Sequence, residues 1–246
     1  MSDNDGGSGG DSNGRGGGGG GGGGDGGEGG QDGAPTTFVI PLSPLEIKAR
    51  NHAILCTVGF LILLPLGVLL ARYARTFTRR WFWGHAVMQL VIAGPVIFVG
   101  WKLGHDLANQ LEGFATLYDP HQRIGIALLA LYVTQLLLGT IIHFVKMQGL
   151  FRGHRPPQNY FHVALGLAIL ALAAYQVHYG LTIEWTFATE GVHAVPDSAL
   201  HAWMALIIVF WVLYFLGMAL LPRQFSREKE GREQMRMARK GEAVNA

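Results

Sequence analysis

Five long apolar blocks, none of which contains an aspartate, glutamate, lysine or arginine, leave this chain very few possible folds. Each block has 19 to 23 residues, and they cover 53–71, 81–101, 124–144, 160–181 and 199–221. At about 1.5 Å per residue, a helix of this length crosses the hydrocarbon layer of a bilayer, which is about 30 Å thick. Buried helices of a large soluble core would need many more amphipathic partner helices than this sequence offers. The sequence therefore predicts an all-α membrane protein with five transmembrane helices.

The N-terminal segment has a different composition from the rest of the chain. Residues 1–34 contain 19 of the 36 glycines, six acidic residues and one arginine, with no apolar run. This composition is typical of a flexible, disordered tail. The tail contains no hydrophobic signal-peptide core, so we expect the first span to direct membrane insertion. The predicted organisation is a Gly-rich tail (1–35), a transmembrane domain (50–221) and a charged tail (222–246).

The basic residues are distributed unevenly between the two ends of the spans. Segments 72–80, 145–159 and 222–246 together carry 14 lysines and arginines, whereas the opposite side carries four when the Gly-rich tail is excluded. This asymmetry predicts a cytoplasmic C-terminus and an outer or lumenal N-terminus. Because the basic residues flank membrane spans, a nucleic-acid-binding role is not supported. Segment 223–240 is interpreted as a solvated helical end that anchors the last span, with a partner-binding or lipid-binding helix as the alternative.

Histidines lie at or near the start of every span. Because successive spans run in opposite directions, three of these histidines lie at the outer level and two at the inner level. Histidines that face each other across a helical bundle can bind haem iron, zinc or copper, or can line a proton path. The spacing alone leaves open whether His121 or His201 is the partner of His52. The outer set is His52, His121 and His201, and the inner set is His85 and His162.

The third and fourth spans repeat one pattern, H-x3-G-x-A-x-L-A-L-x3-Q-x3-G, which begins at His121 and again at His162. The first glycine of the pattern lies one turn beyond the histidine, on the same face of the helix. It is expected to leave room for a haem macrocycle, with close helix packing as the alternative. The glutamine lies close to the same face, and we expect it to bond between helices.

Helix geometry excludes a different ligand set, in which the third and fourth spans supply all four ligands through His143 and His178. On the third span, His121 and His143 are about 40° apart around the helix axis. On the fourth span, His162 and His178 are about 160° apart and would face opposite directions.

Four consecutive segments between Arg50 and Leu181 carry a family resemblance. They read NHAILCTVGFLILLPLGVLLARY, RRWFWGHAVMQL, LYDPHQRIGIALLALYVTQLLLG and NYFHVALG. In this order they resemble the cytochrome b561 family, particularly the branch that is often fused to DOMON domains. The resemblance implies that four of the five helices form a di-haem bundle, which carries electrons across the membrane through two b-type haems. Position by position, it implies that His52 and His121 bind the outer haem, and that His85 and His162 bind the inner haem.

The resemblance also implies an electron donor and an acceptor. Ascorbate is the usual cytoplasmic donor in this family, and the cations near the inner haem would be Arg72, Arg79 and Arg80. Positive-inside anchoring is the alternative interpretation of these arginines. The residues suggested for the acceptor side are His105 and Tyr118.

The expected redox partners follow from one difference between this chain and the branch of the family that is fused to DOMON domains. The segment upstream of the first span is rich in glycine rather than in strand-forming residues. We therefore expect a separate redox protein, a ferric chelate or the ascorbyl radical to replace a fused DOMON domain as acceptor. The implied activity is that of an ascorbate-dependent, ferric reductase-like oxidoreductase. The lipid bilayer and a second copy of the chain, forming a homodimer, complete the expected partners.

A histidine-based metal or proton transporter is the alternative function. None of the five apolar blocks contains an aspartate or glutamate, which ion-coupled carriers commonly use within the membrane. A membrane adaptor whose histidines only pack is a third interpretation. The sequence therefore favours electron transfer.

Overall fold

The computed structural model describes residues 40–78, 80–111, 119–145 and 156–244. Five of its helices are long and apolar enough to cross a membrane, and no strand occurs in these ranges. They are α1 (Pro44–Phe77), α2 (Trp81–Leu111), α3 (Pro120–Phe144), α4 (Pro157–Ala188) and α5 (Asp197–Met218). A sixth helix, α6, spans Leu221–Val244. The predicted all-α membrane fold is confirmed, whereas the Gly-rich tail (1–35) lies outside the described residues.

Helix α1 begins at Pro44, several residues before the predicted transmembrane domain. The Ser43 hydroxyl accepts a hydrogen bond from the Glu46 backbone N–H (3.2 Å), and the Glu46 carboxylate accepts one from the Ser43 N–H (2.6 Å). This reciprocal pair is a capping box, and a proline at the first helical position is already constrained to a helical φ angle. Local capping therefore extends the helix beyond its apolar block.

Three of the spans contain a π-helical segment. These segments are Val58–Leu63 in α1, Val87–Ala93 in α2 and Gly180–Glu184 in α4. The first two pack against each other, and Gln89 forms hydrogen bonds to neighbouring helices, although its side-chain oxygen has no partner among the described residues. The Gln89 side chain donates to the Leu64 carbonyl (3.1 Å), and the Gln89 carbonyl accepts from the Tyr132 hydroxyl (2.6 Å). Such bulges are frequent at functional sites.

The core lies where the five spans meet. Ala93, Ile97 and Ala173 are fully buried, and Tyr132 is 2% exposed. Helices α1 and α2 approach closely in this region, because a Cβ atom added at Gly59 would lie 2.6 Å from Ile97 Cγ1. This dry, closely packed centre separates the two ends of the bundle.

Helix α6 contacts the end of α1. The Glu228 carboxylate lies 3.2 Å from the Arg75 guanidinium, and the Arg227 guanidinium donates to the Thr76 carbonyl. The C-terminal tail is thus a helix, as expected, but its first half packs on α1 instead of extending only into solvent.

Candidate functional site

Two pairs of histidine rings face each other across the bundle. The ring centres of His52 on α1 and His121 on α3 are 6.1 Å apart, with an interplanar angle of 81°. The ring centres of His85 on α2 and His162 on α4 are 6.5 Å apart, with an angle of 82°. The structure therefore brings four histidines together as two pairs. The end of the bundle with His52 is called the outer end, and the end with His85 the inner end.

The separation within each pair suits one iron atom between two imidazole nitrogens. Two bonds of about 2.0 Å, plus about 1.1 Å from each nitrogen to its ring centre, separate the ring centres by about 6.2 Å. The two observed separations, 6.1 and 6.5 Å, bracket this value. The residues of both pairs therefore fit a metal held by two axial ligands.

The donor set favours haem over a bare metal ion. Among the residues that the structure describes, no three histidine, cysteine, aspartate or glutamate side chains form a group that could hold a metal ion. A metal at either pair would need further ligands, and the four nitrogens of a porphyrin would supply them.

Backbone carbonyls orient one ring of each pair. His52 Nδ1 lies 2.7 Å from the Gly100 carbonyl oxygen on α2, and His85 Nδ1 lies 2.8 Å from the Gly67 carbonyl oxygen on α1. Because a carbonyl can only accept, each Nδ1 carries the proton and donates it. The lone pair then lies on Nε2, which is the arrangement that a histidine ligand needs.

The His52 ring lies against two glycines of α2. A Cβ atom at Gly104 would lie 2.5 Å from His52 Cε1, and one at Gly100 would lie 3.0 Å from Cys56 Sγ. The thiol of Cys56 is 3.6 Å from His52 Nδ1, so this residue packs directly beside the ring. The sequence analysis does not single out Gly104, although two glycines one turn apart are a common signal of close helix contact.

Two reciprocal hydrogen bonds join helices α3 and α4. Gln135 of α3 donates its side-chain amide to the His162 carbonyl, and Gln176 of α4 donates to the His121 carbonyl, both at 2.6 Å. The prediction that these glutamines bond between helices is confirmed. Each bond ties the backbone of one paired histidine to the helix that supplies another.

The repeated glycines of α3 and α4 make room for side chains of the neighbouring helix. A Cβ atom at Gly166 would lie 2.7 Å from the Gln135 amide nitrogen. At Gly139 it would lie 3.0 Å from His162 Cε1, and at Gly180 it would lie 3.1 Å from His121 Cε1. The observed role of Gly166 is therefore close helix packing, which was the alternative interpretation.

The rings of His121 and His162 lack the hydrogen bond to a backbone carbonyl that orients the rings of their partners. Their Nδ1 atoms are buried, and within the described ranges neither has a hydrogen-bond partner. Buried polar atoms in this state are uncommon and need an explanation. The His121 ring stacks on Tyr179, with ring centres 6.1 Å apart. A metal bond through Nε2 would fix both rings where no hydrogen bond does.

At the inner end, the arginines suggested for the donor site lie in different environments. Arg72 donates to the Tyr214 hydroxyl (2.8 Å), and its guanidinium lies over the Tyr214 ring. Arg80 is exposed, and Arg79 lies outside the described residues. The structure therefore places Arg72 against α5 and leaves Arg80 accessible to solvent.

A fourth arginine, Arg75, contacts an aromatic ring that neighbours one of the inner histidines. Its guanidinium lies 4.9 Å from the centre of the Trp81 ring, whose own centre is 6.4 Å from that of His85. Arg75 is one of the four arginines of segment 72–80, and nothing in the sequence distinguishes it from the other three.

At the outer end, His105 is exposed and accepts a hydrogen bond from the Asn109 amide (3.2 Å). Tyr118, the other residue suggested for the acceptor side, lies outside the described residues.

His201, the alternative partner of His52, is exposed on α5. The structure therefore places His121, and not His201, opposite His52.

Removing one of the two hydrogen bonds between α3 and α4 should measurably lower the stability of the protein. We expect Gln176→Leu to lower the free energy of unfolding by about 1 kcal/mol, because it removes a hydrogen bond between two helices. Thermal unfolding in detergent, followed by circular dichroism, would measure the change. Thr134→Val is the control, because its exposed hydroxyl donates to Ala130 of its own helix. An equal effect of the two substitutions would contradict the prediction.

A family model described as eukaryotic cytochrome b561 matches residues 51–188. Two cytochrome b561 and DOMON domain-containing proteins of Arabidopsis thaliana are 29% and 31% identical to this chain, over 59% and 61% of its length. The aligned parts are 35% and 38% of those relatives, so the chain spans little more than a third of their length. No solved structure matches this chain.

Proposed function

The chain belongs to the eukaryotic cytochrome b561 family, and we propose on this basis that it carries electrons across a membrane through two b-type haems. The observation that carries the proposal is the presence of two histidine pairs with ring centres 6.1 and 6.5 Å apart. Both the matched family and the spacing of the rings support it.

The four paired histidines would be the axial ligands. His52 and His121 would hold the outer haem, and His85 and His162 would hold the inner haem. Bound haem supplies a reversible one-electron couple between ferric and ferrous iron. The carbonyls of Gly100 and Gly67 keep the proton on Nδ1 of His52 and His85, so that Nε2 stays available.

The helices around the two pairs would hold the cofactors in fixed positions and keep water away. Phe60, Ile97 and Tyr132 fill the space at the centre of the bundle with side chains no more than 6% exposed. A dry, rigid surrounding limits the reorganisation that accompanies a change of charge at the iron. The packed core thus favours rapid, reversible electron transfer.

Ascorbate is the proposed electron donor at the inner end. The charge asymmetry of the loops supports a cytoplasmic inner end, and ascorbate is an anion at neutral pH. Arg72, Arg75 and Arg80 lie on or next to the inner end of α1 and would attract such a donor. Arg79 belongs to the same group by its position in the sequence.

A ferric chelate, the ascorbyl radical or a separate redox protein is the proposed acceptor at the outer end. His105 is the exposed residue of this end to which we assign acceptor contact, together with Tyr118 from the sequence. Tyr179, which stacks on His121, adds an aromatic group next to the outer pair.

The first experiment is a reduced-minus-oxidised visible spectrum of the purified chain, with the haem counted per polypeptide. We expect about two b-type haems per chain, of the bis-histidine type, both reduced by ascorbate. Well-folded protein without haem would overturn the proposal and would favour the histidine-based metal or proton transporter. Haem that dithionite reduces but ascorbate does not would reject ascorbate alone.

A further inference from the structure

The C-terminal helix brings a carboxylate to the inner end of the bundle. The Glu228 carboxylate and the Arg75 guanidinium are 3.2 Å apart, and their side chains are 23% and 34% exposed. An ion pair that water covers only in part keeps more of its attraction than a fully exposed pair. The charge of Arg75 is therefore largely compensated by a residue more than 150 positions away in the sequence.

Two neighbouring contacts fix α6 against α1, and a third, within α6, holds the Glu228 carboxylate. Arg227 donates to the Thr76 carbonyl, and the Arg223 guanidinium lies 5.1 Å from the centre of the Phe77 ring. Gln224, one turn before Glu228, is only 4% exposed and donates to the Glu228 carboxylate (2.9 Å). Glu228 is thus held by its own helix as well as by Arg75.

Arg75 is in turn linked to one inner histidine, His85, through a chain of ring contacts. Its guanidinium packs over Trp81, and the ring of Trp81 neighbours that of His85. A negative charge at Glu228 therefore acts on the surface formed by Arg75 and Trp81, next to His85. This surface is called the inner entrance, because a donor to the inner pair would approach the protein here.

We propose that Glu228 determines the charge of the inner entrance and makes the protein less reactive toward anionic electron donors than Arg75 alone would make it. This inference rests on the proposed function. The negative charge lowers the local concentration of an approaching anion and leaves that of an uncharged donor unchanged. Glu228 is accordingly a specificity-determining residue, and α6 is part of the donor entrance.

The test compares haem reduction in the full-length protein with and without this charge. Glu228→Gln should increase the second-order rate of reduction by ascorbate at least about threefold at low ionic strength, and the gain should shrink in about 0.5 M salt. Reduction by duroquinol, an uncharged donor, should not change. Glu228→Gln should also speed tryptic cleavage of α6, because one of its contacts with α1 is lost, and this readout does not depend on haem.

Glu230→Gln is the matched control, because it removes the same charge from an exposed position of α6. It should leave both reduction and cleavage close to those of the original protein. The proposal is overturned if Glu228→Gln leaves the ascorbate rate unchanged, if both variants change it equally, or if the duroquinol rate rises as much. If ascorbate does not reduce the original protein, the proposed donor is wrong, and the charge effect is then read from dithionite, whose reducing species is also an anion.

Discussion

Replacing His121 by alanine should remove one haem from the protein and leave the other in place. His121 faces His52 at the outer end, with ring centres 6.1 Å apart, and the inner pair is formed by two other helices. The variant should hold about one haem per chain instead of about two. The haem content of purified protein, together with the reduced-minus-oxidised spectrum, measures this loss.

Three further measurements make this prediction specific. Added imidazole should restore part of the lost haem, because it can occupy the space of the missing side chain and provide the same nitrogen ligand. His85→Ala should remove the other spectral component, since it breaks the inner pair. His201→Ala should keep both haems, because His201 is exposed on α5. Two retained haems in His121→Ala would contradict the assignment of the outer pair.

The positions of the spans and the histidine levels could be predicted from the sequence because both depend on local patterns. A block of about 20 residues without charge predicts a membrane span whatever surrounds it. Antiparallel spans then place His52 and His121 at one level. The spacing could not choose between His121 and His201, because that choice depends on which helices are neighbours.

The features that could not be predicted from the sequence depend on contacts between helices. The π-helical segments of α1 and α2 form where the two helices pack, and no apolar period marks them. The carbonyl acceptors at Gly67 and Gly100 are backbone atoms, which every residue carries. Arg75 could not be distinguished from Arg72 and Arg80, because its place over Trp81 depends on the fold of the loop and on α6.

The second large effect is expected at Gly104, where adding a single methyl group should displace a paired histidine. A Cβ atom at this position would lie 2.5 Å from His52 Cε1 and 2.6 Å from Nδ1. Carbon atoms in contact prefer a separation of about 3.5 to 4.0 Å, so the ring would have to move by roughly 1 Å. A metal–ligand bond tolerates only about 0.2 Å of error. Gly104→Ala should therefore lose most of the outer haem.

The measurement is again haem per chain, now together with the low-spin signals of the ferric protein in electron paramagnetic resonance. The signal of the outer haem should fall several-fold, and that of the inner haem should persist, because Gly104 lies beside His52 and not beside His85. Gly231→Ala on α6 is the control, because no atom lies within 4 Å of a Cβ atom added at this position. If Gly104→Ala kept its full haem content with unchanged signals, the close approach of α2 to His52 would not be what positions this ligand.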